Sequence, residues 1–186
     1  MVVAGAVLCG GGSTRMGTDK ALLTVDGVAM ARRGADALRG AGCSPVVAVG
    51  GDATALGSLG LDVVADRWPG EGPVGGVLTA LLAHPDADAV AVVACDLPRL
   101  SAATVRMLVD ALGEHPAVAA AAAVTDRVQP LCVVWRSSAS PVVAAAMARG
   151  ERRLHVVLTE VGSVDVRVDP RDLTNVNSPG DLPSRL

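Results

Sequence analysis

The 186-residue sequence contains no phenylalanine and no tyrosine, and its only large aromatic residues are Trp68 and Trp135. Hydrophobic residues nevertheless make up 51% of the chain, so a core has to be built from alanine, valine and leucine. That apolar fraction excludes an intrinsically disordered chain. We therefore expect residues 1–186 to form a single domain with an aliphatic core.

An excess of positive charge is also lacking, because 16 basic residues face 19 acidic ones and the formal net charge is -3. This balance argues against a general affinity for nucleic acid or for anionic membranes. No apolar run approaches the roughly 18 residues of a membrane span. The apolar opening Val2–Leu8 is too short for a signal-peptide core and has no basic flank, so we expect a soluble cytoplasmic protein.

The four cysteines are far apart, and no C-x-x-C pair or cysteine–histidine cluster is present. A structural zinc site and a disulfide framework are therefore not indicated. The simplest interpretation is that the cysteines are small core residues in a reducing compartment.

Short apolar runs bounded by glycine or proline alternate with segments of helical periodicity, which predicts βαβ units and a parallel sheet. In open sheets of this kind, ligands bind beyond the carboxyl ends of the strands. The predicted strands are Val2–Leu8, Pro45–Val49, Leu61–Ala65, Ala89–Ala94, Ala117–Val124, Leu131–Trp135 and Val164–Val168. The predicted helices are Val28–Gly42, Val74–Ala83, one from the N-cap Ser101 to about Leu112, Ser137–Arg149, Arg153–Val161 and Ser178–Leu186.

The loop after the first strand has the composition of a phosphate-binding site. Three glycines, Gly10 to Gly12, let backbone N–H groups approach an anion, and Arg15 and Lys20 follow. The spacing matches neither the P-loop nor the dinucleotide fingerprint. Lys20 is the only lysine beside fifteen arginines, which suggests a need for a compact ammonium group. A glycine turn before a solvated helix is the competing interpretation, but the combination favours phosphate binding.

Two aspartates follow predicted strands at the same edge of the sheet. Asp96 comes after Ala89–Ala94 and is placed to hold Mg²⁺ on nucleotide phosphates, although an aspartate of a turn before Pro98 is the alternative. Asp66 precedes a glycine-rich loop that either approaches a base or is a flexible surface loop.

Two later motifs carry further candidates. Arg152 and Arg153 belong to a basic cluster that either grips the phosphate of a second substrate or is a solvated charge cluster. Asn175 and Asn177 lie in a turn before Ser178-Pro179, and helix capping explains the serine but not both amides.

Together these motifs resemble the molybdenum cofactor guanylyltransferase family, in order and across essentially the whole chain. The resemblance implies a Rossmann-like nucleotidyltransferase fold of the α/β class, with a mostly parallel twisted sheet and helices on both faces. The motifs are Leu8-Cys9-Gly10-Gly11 with Arg15-Met16-Gly17 and Asp19-Lys20, Gly72-Pro73, Cys95-Asp96-Leu97-Pro98, Gly150-Glu151-Arg152-Arg153, and Asn175-Val176-Asn177-Ser178-Pro179.

The resemblance also implies roles for individual residues. Arg15, Lys20 and Asp96 would be catalytic, with Asp96 binding Mg²⁺, and Arg152, Arg153, Asn175 and Asn177 would face molybdopterin. The GTP-binding residues would be Leu8, Cys9, Gly10, Gly11, Lys20, Asp66 and Asp96. Transient contact with other proteins of molybdenum cofactor biosynthesis, or with acceptor enzymes, is implied as well.

The implied reaction joins GMP from GTP to the terminal phosphate of molybdopterin and releases pyrophosphate. The acceptor is already an anion, so positioning and charge stabilisation suffice and no strong general base is needed. Three alternatives stay open at this point: a molybdopterin cytidylyltransferase, another small nucleotidyltransferase, and a non-catalytic nucleotide-binding partner protein. Where some family members carry an asparagine, this chain has Val49-Gly50-Gly51, so base recognition is expected to depend on the backbone.

Overall fold

A computed structural model of the chain describes residues 1–10 and 19–176. The predictions for Gly11, Arg15, Asn177 and the helix Ser178–Leu186 concern residues outside these ranges. The described residues form a seven-stranded sheet flanked by helices, together with a short two-stranded hairpin.

The large sheet has the strand order β5-β4-β1-β6-β8-β7-β9. All neighbouring pairs are parallel except β6–β8 and β7–β8, because β8 alone runs in the opposite direction. The strands of this sheet are β1 (Val3–Leu8), β4 (Val46–Val49), β5 (Asp62–Val64), β6 (Ala89–Ala94), β7 (Ala120–Val124), β8 (Val128–Arg136) and β9 (Ser163–Arg167). The hairpin consists of β2 (Thr24–Val25) and β3 (Val28–Ala29).

Six α-helices connect or follow these strands. They are α1 (Met30–Gly40), α2 (Ala53–Ser58), α3 (Pro73–Ala83), α4 (Ala102–Glu114), α5 (Ser140–Ala148) and α6 (Leu154–Val161). Local chemistry explains where two of them begin. The Ser101 side chain accepts a hydrogen bond from the N–H of Thr104 and caps α4, and Pro73 opens α3 directly after Gly72, which has a φ of 78°.

The core lies on both faces of the sheet, and the alternation along β1 shows this directly. Val3 and Val7 pack on one face with α1 and α4, whereas Ala4, Ala6 and Leu8 pack on the other face with α3, α5 and α6. Trp135 of β8 is fully buried on the second face. The predicted fold class, a mostly parallel sheet with helices on both faces, is confirmed.

Three local features differ from the sequence-based expectation. Residues 28 and 29 pair in the hairpin instead of opening the first helix, so α1 begins at Met30. The segment after β4 contains α2, which the sequence did not indicate because it is only six residues long; Asp52 caps it by accepting from two backbone N–H groups. The antiparallel direction and insertion of β8 were not predicted either.

Within the described part of the chain, none of the helices has both the length and the apolar character needed to cross a membrane.

Candidate active site

The loops that follow β1, β4, β5 and β6 border one cleft of about 570 Å³ at the carboxyl edge of the parallel strands. Every predicted nucleotide-binding residue among the described residues lines it: Leu8, Cys9, Gly10, Lys20, Asp66 and Asp96. The sequence expectation that these loops meet is therefore confirmed as geometry.

The backbone after β1 packs directly against the backbone after β4. The N–H groups of Cys9 and Gly10 both donate to the carbonyl of Val49, at 2.9 and 3.2 Å. A Cβ on Gly50, which has a φ of 71°, would lie 3.0 Å from the Cα of Gly10. Glycine at position 50 is thus required by this contact, and the N–H groups of Cys9 and Gly10 are already bonded within the protein.

Lys20 enters the cleft from a short 3₁₀ turn, Lys20–Leu22, that begins directly after the glycine-rich loop. The turn is fixed by Asp19, whose Oδ1 accepts a hydrogen bond of 3.0 Å from the N–H of Ala21. The positive charge of Lys20 acts on Asp96 strongly enough to oppose part of the effect of burial on the pKa of that carboxyl group. Lys20 and Asp96 therefore influence each other electrostatically within the cleft.

Asp96 follows β6 and is half-buried. Burial raises the pKa of its carboxyl group, and the charge of Lys20 lowers it less strongly. Its Oδ1 atom is buried without a hydrogen-bond partner in the described structure. A buried carboxylate oxygen without a partner is costly for the fold, and carboxylate oxygens are good ligands for a hard cation.

That oxygen makes Asp96 fit the predicted Mg²⁺ site. Within residues 1–10 and 19–176, no three His, Cys, Asp or Glu side chains come together as a metal site. A metal ion held by Asp96 would therefore need ligands from outside the described residues, and phosphate oxygens and water are the usual further ligands of a nucleotide-bound magnesium ion.

Asp66 has a structural contact as well as a place in the cleft. Its Oδ1 accepts hydrogen bonds from the Trp68 N–H (3.0 Å) and the Thr79 hydroxyl (3.1 Å), and that hydroxyl in turn accepts from the Arg67 N–H. Its Oδ2 faces Gly10, at 3.8 Å from where a Cβ on that residue would lie. Asp66 thus anchors the start of the loop 65–72 and leaves its second oxygen on the cleft side.

The same loop packs closely on α3. A Cβ on Gly75 would lie 3.1 Å from the Cβ of Trp68, and one on Gly76 would lie 3.3 Å from Leu8. These glycines let the helix approach the loop and β1, which favours an ordered cleft wall over the flexible surface loop that the sequence left open.

Two of the four cysteines, Cys9 and Cys95, also line the cleft. The hydrogen bond between the Cys9 and Cys95 side chains, and then burial, raise the pKa of the Cys9 thiol, so Cys9 stays protonated and uncharged. The interpretation as small core residues holds best for Cys43 and Cys132, which are fully enclosed. Burial raises the pKa of Cys43 to about 11 and that of Cys132 to about 12.

A second cleft, of about 500 Å³, adjoins the first and shares Ala94, Asp96 and Leu131 with it. Asn175 lines the second cleft, and its predicted contact with the other substrate stays a prediction. The neighbouring Val176 donates its backbone N–H to the carbonyl of Asp96 at 3.0 Å. Asp96 therefore stands at the junction of two clefts.

Three further residues of the second cleft were missed by the sequence reasoning: Arg127, Gln129 and His155. They come from the β7–β8 hairpin and from α6, and reach the cleft because β8 lies beside β6. No local motif marks them. Only the pairing of β8 with β6 could have drawn attention to them.

Arg152 and Arg153 are not placed in the second cleft. The Nε of Arg152 donates to Glu71 at 2.8 Å, and Arg153 donates to both carboxylate oxygens of Glu151 at 2.9 and 2.7 Å. Arg153 is exposed, and this pairing holds the pKa of Glu151 at about 2. Both arginines are thus bound to carboxylates at the protein surface, and their predicted contact with the acceptor stays a prediction.

A mostly parallel sheet with a lysine and an aspartate in one cleft at its carboxyl edge, after a glycine-rich sequence, fits the nucleotidyltransferase class. The family model described as "MobA-like NTP transferase domain" matches residues 5–164. The chain belongs to this MobA-like nucleotidyltransferase family, and the resemblance seen in its motifs is confirmed.

Individual relatives agree with this assignment. A protein of Chloroflexus aggregans named "Probable molybdenum cofactor guanylyltransferase" is 37% identical over 98% of this chain and 92% of its own. The structure of molybdopterin-guanine dinucleotide biosynthesis protein A from Archaeoglobus fulgidus is similar at a TM-score of 0.75 and 24% identity, covering 98% and 95% of the two chains. A Mycobacterium tuberculosis protein solved in complex with manganese has a TM-score of 0.72 at 22% identity, covering 97% and 96%.

Proposed function

We propose that this enzyme transfers GMP from GTP to the terminal phosphate of molybdopterin, forming molybdopterin guanine dinucleotide and releasing pyrophosphate. The observation that carries the proposal is the junction of two clefts at Asp96. A transferase for two large substrates needs adjoining sites with the reacting phosphates between them. The guanylyltransferase name of the relative that is 37% identical supports the choice of substrates.

The nucleotide belongs in the first cleft. Leu8, Cys9 and Gly10 form its floor, and Asp66 borders the base-side loop. We assign Gly11, which follows Gly10 in the chain, to the same nucleotide. The N–H groups of Cys9 and Gly10 already donate to the Val49 carbonyl. The contribution that we assign to these two residues is therefore to let the ligand approach the backbone closely. Lys20 and Arg15 supply the positive charge for the triphosphate.

Asp96 would hold the divalent cation, which we propose to be Mg²⁺, through its unpartnered Oδ1. When bound, the ion neutralises phosphate charge and orients the reacting phosphates. The acceptor phosphate attacks the α-phosphorus in line, the bond to the β-phosphate oxygen breaks, and pyrophosphate leaves with its electron pair. Lys20 and Arg15 stabilise the charge that develops on the phosphate oxygens, and no protein base is required.

Molybdopterin belongs in the second cleft beside Asn175, with Asn177 two residues further along the chain. The amide groups can bond the polar edges of the pterin, and Arg152 and Arg153 remain candidates for its phosphate. The full chain 1–186 would act as one domain in the cytoplasm. Contacts with other cofactor-synthesis proteins or acceptor enzymes would be transient.

Transfer from GTP, ATP and CTP onto molybdopterin, measured with Mg²⁺ as the only metal, tests the proposal. We expect a preference for GTP, because guanine carries N1–H and amino donors that backbone carbonyls of the cleft can accept, while each unmet buried group costs about 1–3 kcal/mol. A preference for CTP would instead support a cytidylyltransferase. Equal use of all three would exclude the guanylyl assignment, and nucleotide binding without any transfer would support a non-catalytic binding protein.

The Gly10→Ala variant sharpens this test. A Cβ at position 10 would meet its nearest atoms at 3.7 to 3.9 Å, which is ordinary contact, so the variant is expected to fold. The added methyl group would nevertheless occupy the cleft floor beside Asp66. If the nucleotide approaches this backbone, GTP affinity falls while thermal stability stays close to wild type.

A further inference from the structure

Arg152 lies in the connection between α5 and α6. Backbone carbonyls of the same region hold its guanidinium group in place. The Nη1 atom donates to the carbonyls of Met147 and Glu151, each at 2.9 Å. Met147 lies in the last turn of α5, so the bond to its carbonyl attaches the guanidinium group to the carboxyl end of that helix. Nε and Nη2 are left to point away from it.

Those two nitrogens both contact Oε2 of Glu71, with the Nε distance at 2.8 Å. Glu71 is 81 positions earlier in the chain and lies in the loop 65–72. The residues on either side of it, Gly70 and Gly72, both line the nucleotide cleft. The backbone that carries Glu71 is therefore the wall of the cleft.

The loop has one anchor at each end. Asp66 holds its beginning through Trp68 and Thr79, while Arg152 holds Glu71 near its end. A Cβ on Gly72 would lie 3.7 Å from the Cβ of Arg152, so the arginine also packs on the turn that begins α3. Arg152 therefore adds a side-chain attachment to a loop that is otherwise held by Asp66, by the bond from the Glu71 N–H to the Trp68 carbonyl at 3.1 Å, and by its packing on α3.

The exposure of the pair indicates what it does. The Arg152 and Glu71 side chains are 35% and 48% exposed, and ion pairs this accessible contribute only about 0–1 kcal/mol to folding. Four hydrogen bonds from one guanidinium are therefore better explained by fixing the position of a loop than by stabilising the whole domain.

From this geometry we infer that Arg152 is a positioning residue for nucleotide binding, which acts by holding Glu71 and thereby the Gly70–Gly72 wall of the cleft. This inference rests on the proposed function for the identity of the nucleotide. It differs from the role that the sequence resemblance implies, a direct contact between Arg152 and molybdopterin.

The test measures GTP affinity with Mg²⁺ and the KM for molybdopterin in Arg152→Ala, Glu71→Gln and the double variant. We expect each single change to weaken GTP binding about three- to tenfold, with the acceptor KM within about twofold of wild type. Because the two residues act as one unit, the GTP affinity of the double variant should be no lower than that of the single variant that binds GTP less tightly.

Arg149→Ala is the matched control, because it removes another exposed arginine–glutamate pair, that of Arg149 with Glu160 at 2.7 Å, without touching the loop. It should leave both constants unchanged. The charge exchange Arg152→Glu with Glu71→Arg should recover part of the GTP affinity lost in Arg152→Glu alone, which a direct ligand contact would not do.

The inference is overturned if Arg152→Ala raises the acceptor KM while Glu71→Gln has no effect, or if both variants bind GTP like wild type. In these comparisons, the GTP affinity and the acceptor KM of each variant are expressed as ratios to the wild-type values. If the wild-type protein selects CTP, the proposed function fails while the same ratios, measured with CTP, still decide the role of Arg152.

Discussion

The backbone N–H of Val176 donates a 3.0 Å hydrogen bond to the carbonyl oxygen of Asp96. Val176 is fully buried, in a small cluster with Val25 and Met30. This bond attaches the segment that carries Asn175 to the residue that we place at the metal. The relative position of the two clefts is thus set by backbone as well as by side chains.

Asp96→Asn is expected to reduce transfer at least about a hundredfold, or about 2.7 kcal/mol, because it removes the charge that would hold the cation. Transfer and thermal unfolding measured with and without Mg²⁺ check this. Mg²⁺ with GTP should stabilise the wild type but not the variant. Asp86 is exposed and precedes β6, at the edge of the sheet opposite to Asp96. The control variant Asp86→Asn should therefore leave transfer intact.

The raised pKa of Asp96 also predicts how the stability of the protein depends on pH. Burial raises the pKa of Asp96 in the folded state, so the folded protein binds its proton more tightly than the unfolded chain does. The free energy of unfolding therefore falls as the pH rises from the unfolded pKa through the folded one. Without metal, Asp96→Asn should melt at or above the wild-type temperature at neutral pH, and the difference should shrink in acid.

Gly50→Ala is expected to destabilise the fold by about 1–3 kcal/mol and to weaken nucleotide binding. The new Cβ would lie 3.0 Å from the Cα of Gly10 and would require a residue other than glycine at a φ of 71°. Chemical denaturation and GTP titration measure the two effects. Gly57→Ala provides the control, since nothing lies within 4 Å of a Cβ there, and an unchanged Gly50→Ala variant would contradict the packing described.

Asp172→Ala is expected to raise the acceptor KM while changing GTP affinity little. Its Oδ2 accepts a 2.6 Å bond from the Ser101 hydroxyl and another from Thr104, which attach the segment before Asn175 to the start of α4. Loss of these bonds should lower the free energy of unfolding by about 1–3 kcal/mol. Asp169→Ala, whose partner Arg171 is exposed, should have a smaller effect on both quantities, and equal effects would refute the assignment.

Gln129→Ala tests the second cleft itself. Its Nε2 donates to the Thr125 hydroxyl at 2.9 Å, so the side chain is held in place with its amide oxygen available to a ligand. We expect the KM for molybdopterin to rise by several-fold, about 1 kcal/mol, with GTP affinity unchanged. Steady-state kinetics with each substrate varied separately will show this, and a GTP-specific defect would reverse our assignment of the two clefts.

The parallel half of the fold could be predicted because each strand is short and mainly apolar. The boundaries of β6 at Ala89 and Ala94 follow from composition alone, and the location of Asp96 at the carboxyl edge follows from them. The clefts between β1 and β6 could be anticipated for the same reason. Their detailed lining depends on which loops come close in space.

The remaining features depend on non-local contacts. The direction of β8 is set by its pairing with β6 and β7, and no local pattern distinguishes it from a further parallel strand. The pairing of Arg152 with Glu71 joins residues 81 positions apart, so a basic cluster in the sequence looked unpaired. The close packing of Gly50 on Gly10 is visible only in three dimensions, so the sequence alone gave no sign of this structural role.

The scarcity of aromatic side chains gives the molecule an internal optical probe. With no tyrosine, ultraviolet emission comes from two indoles only. Trp135 is sealed inside the core, whereas Trp68 is half-buried in the loop at the nucleotide cleft, with its backbone N–H on Asp66. A change in emission wavelength or intensity on adding nucleotide therefore reports on the surroundings of Trp68, so the movement of this cleft wall can be followed in the unlabelled native protein.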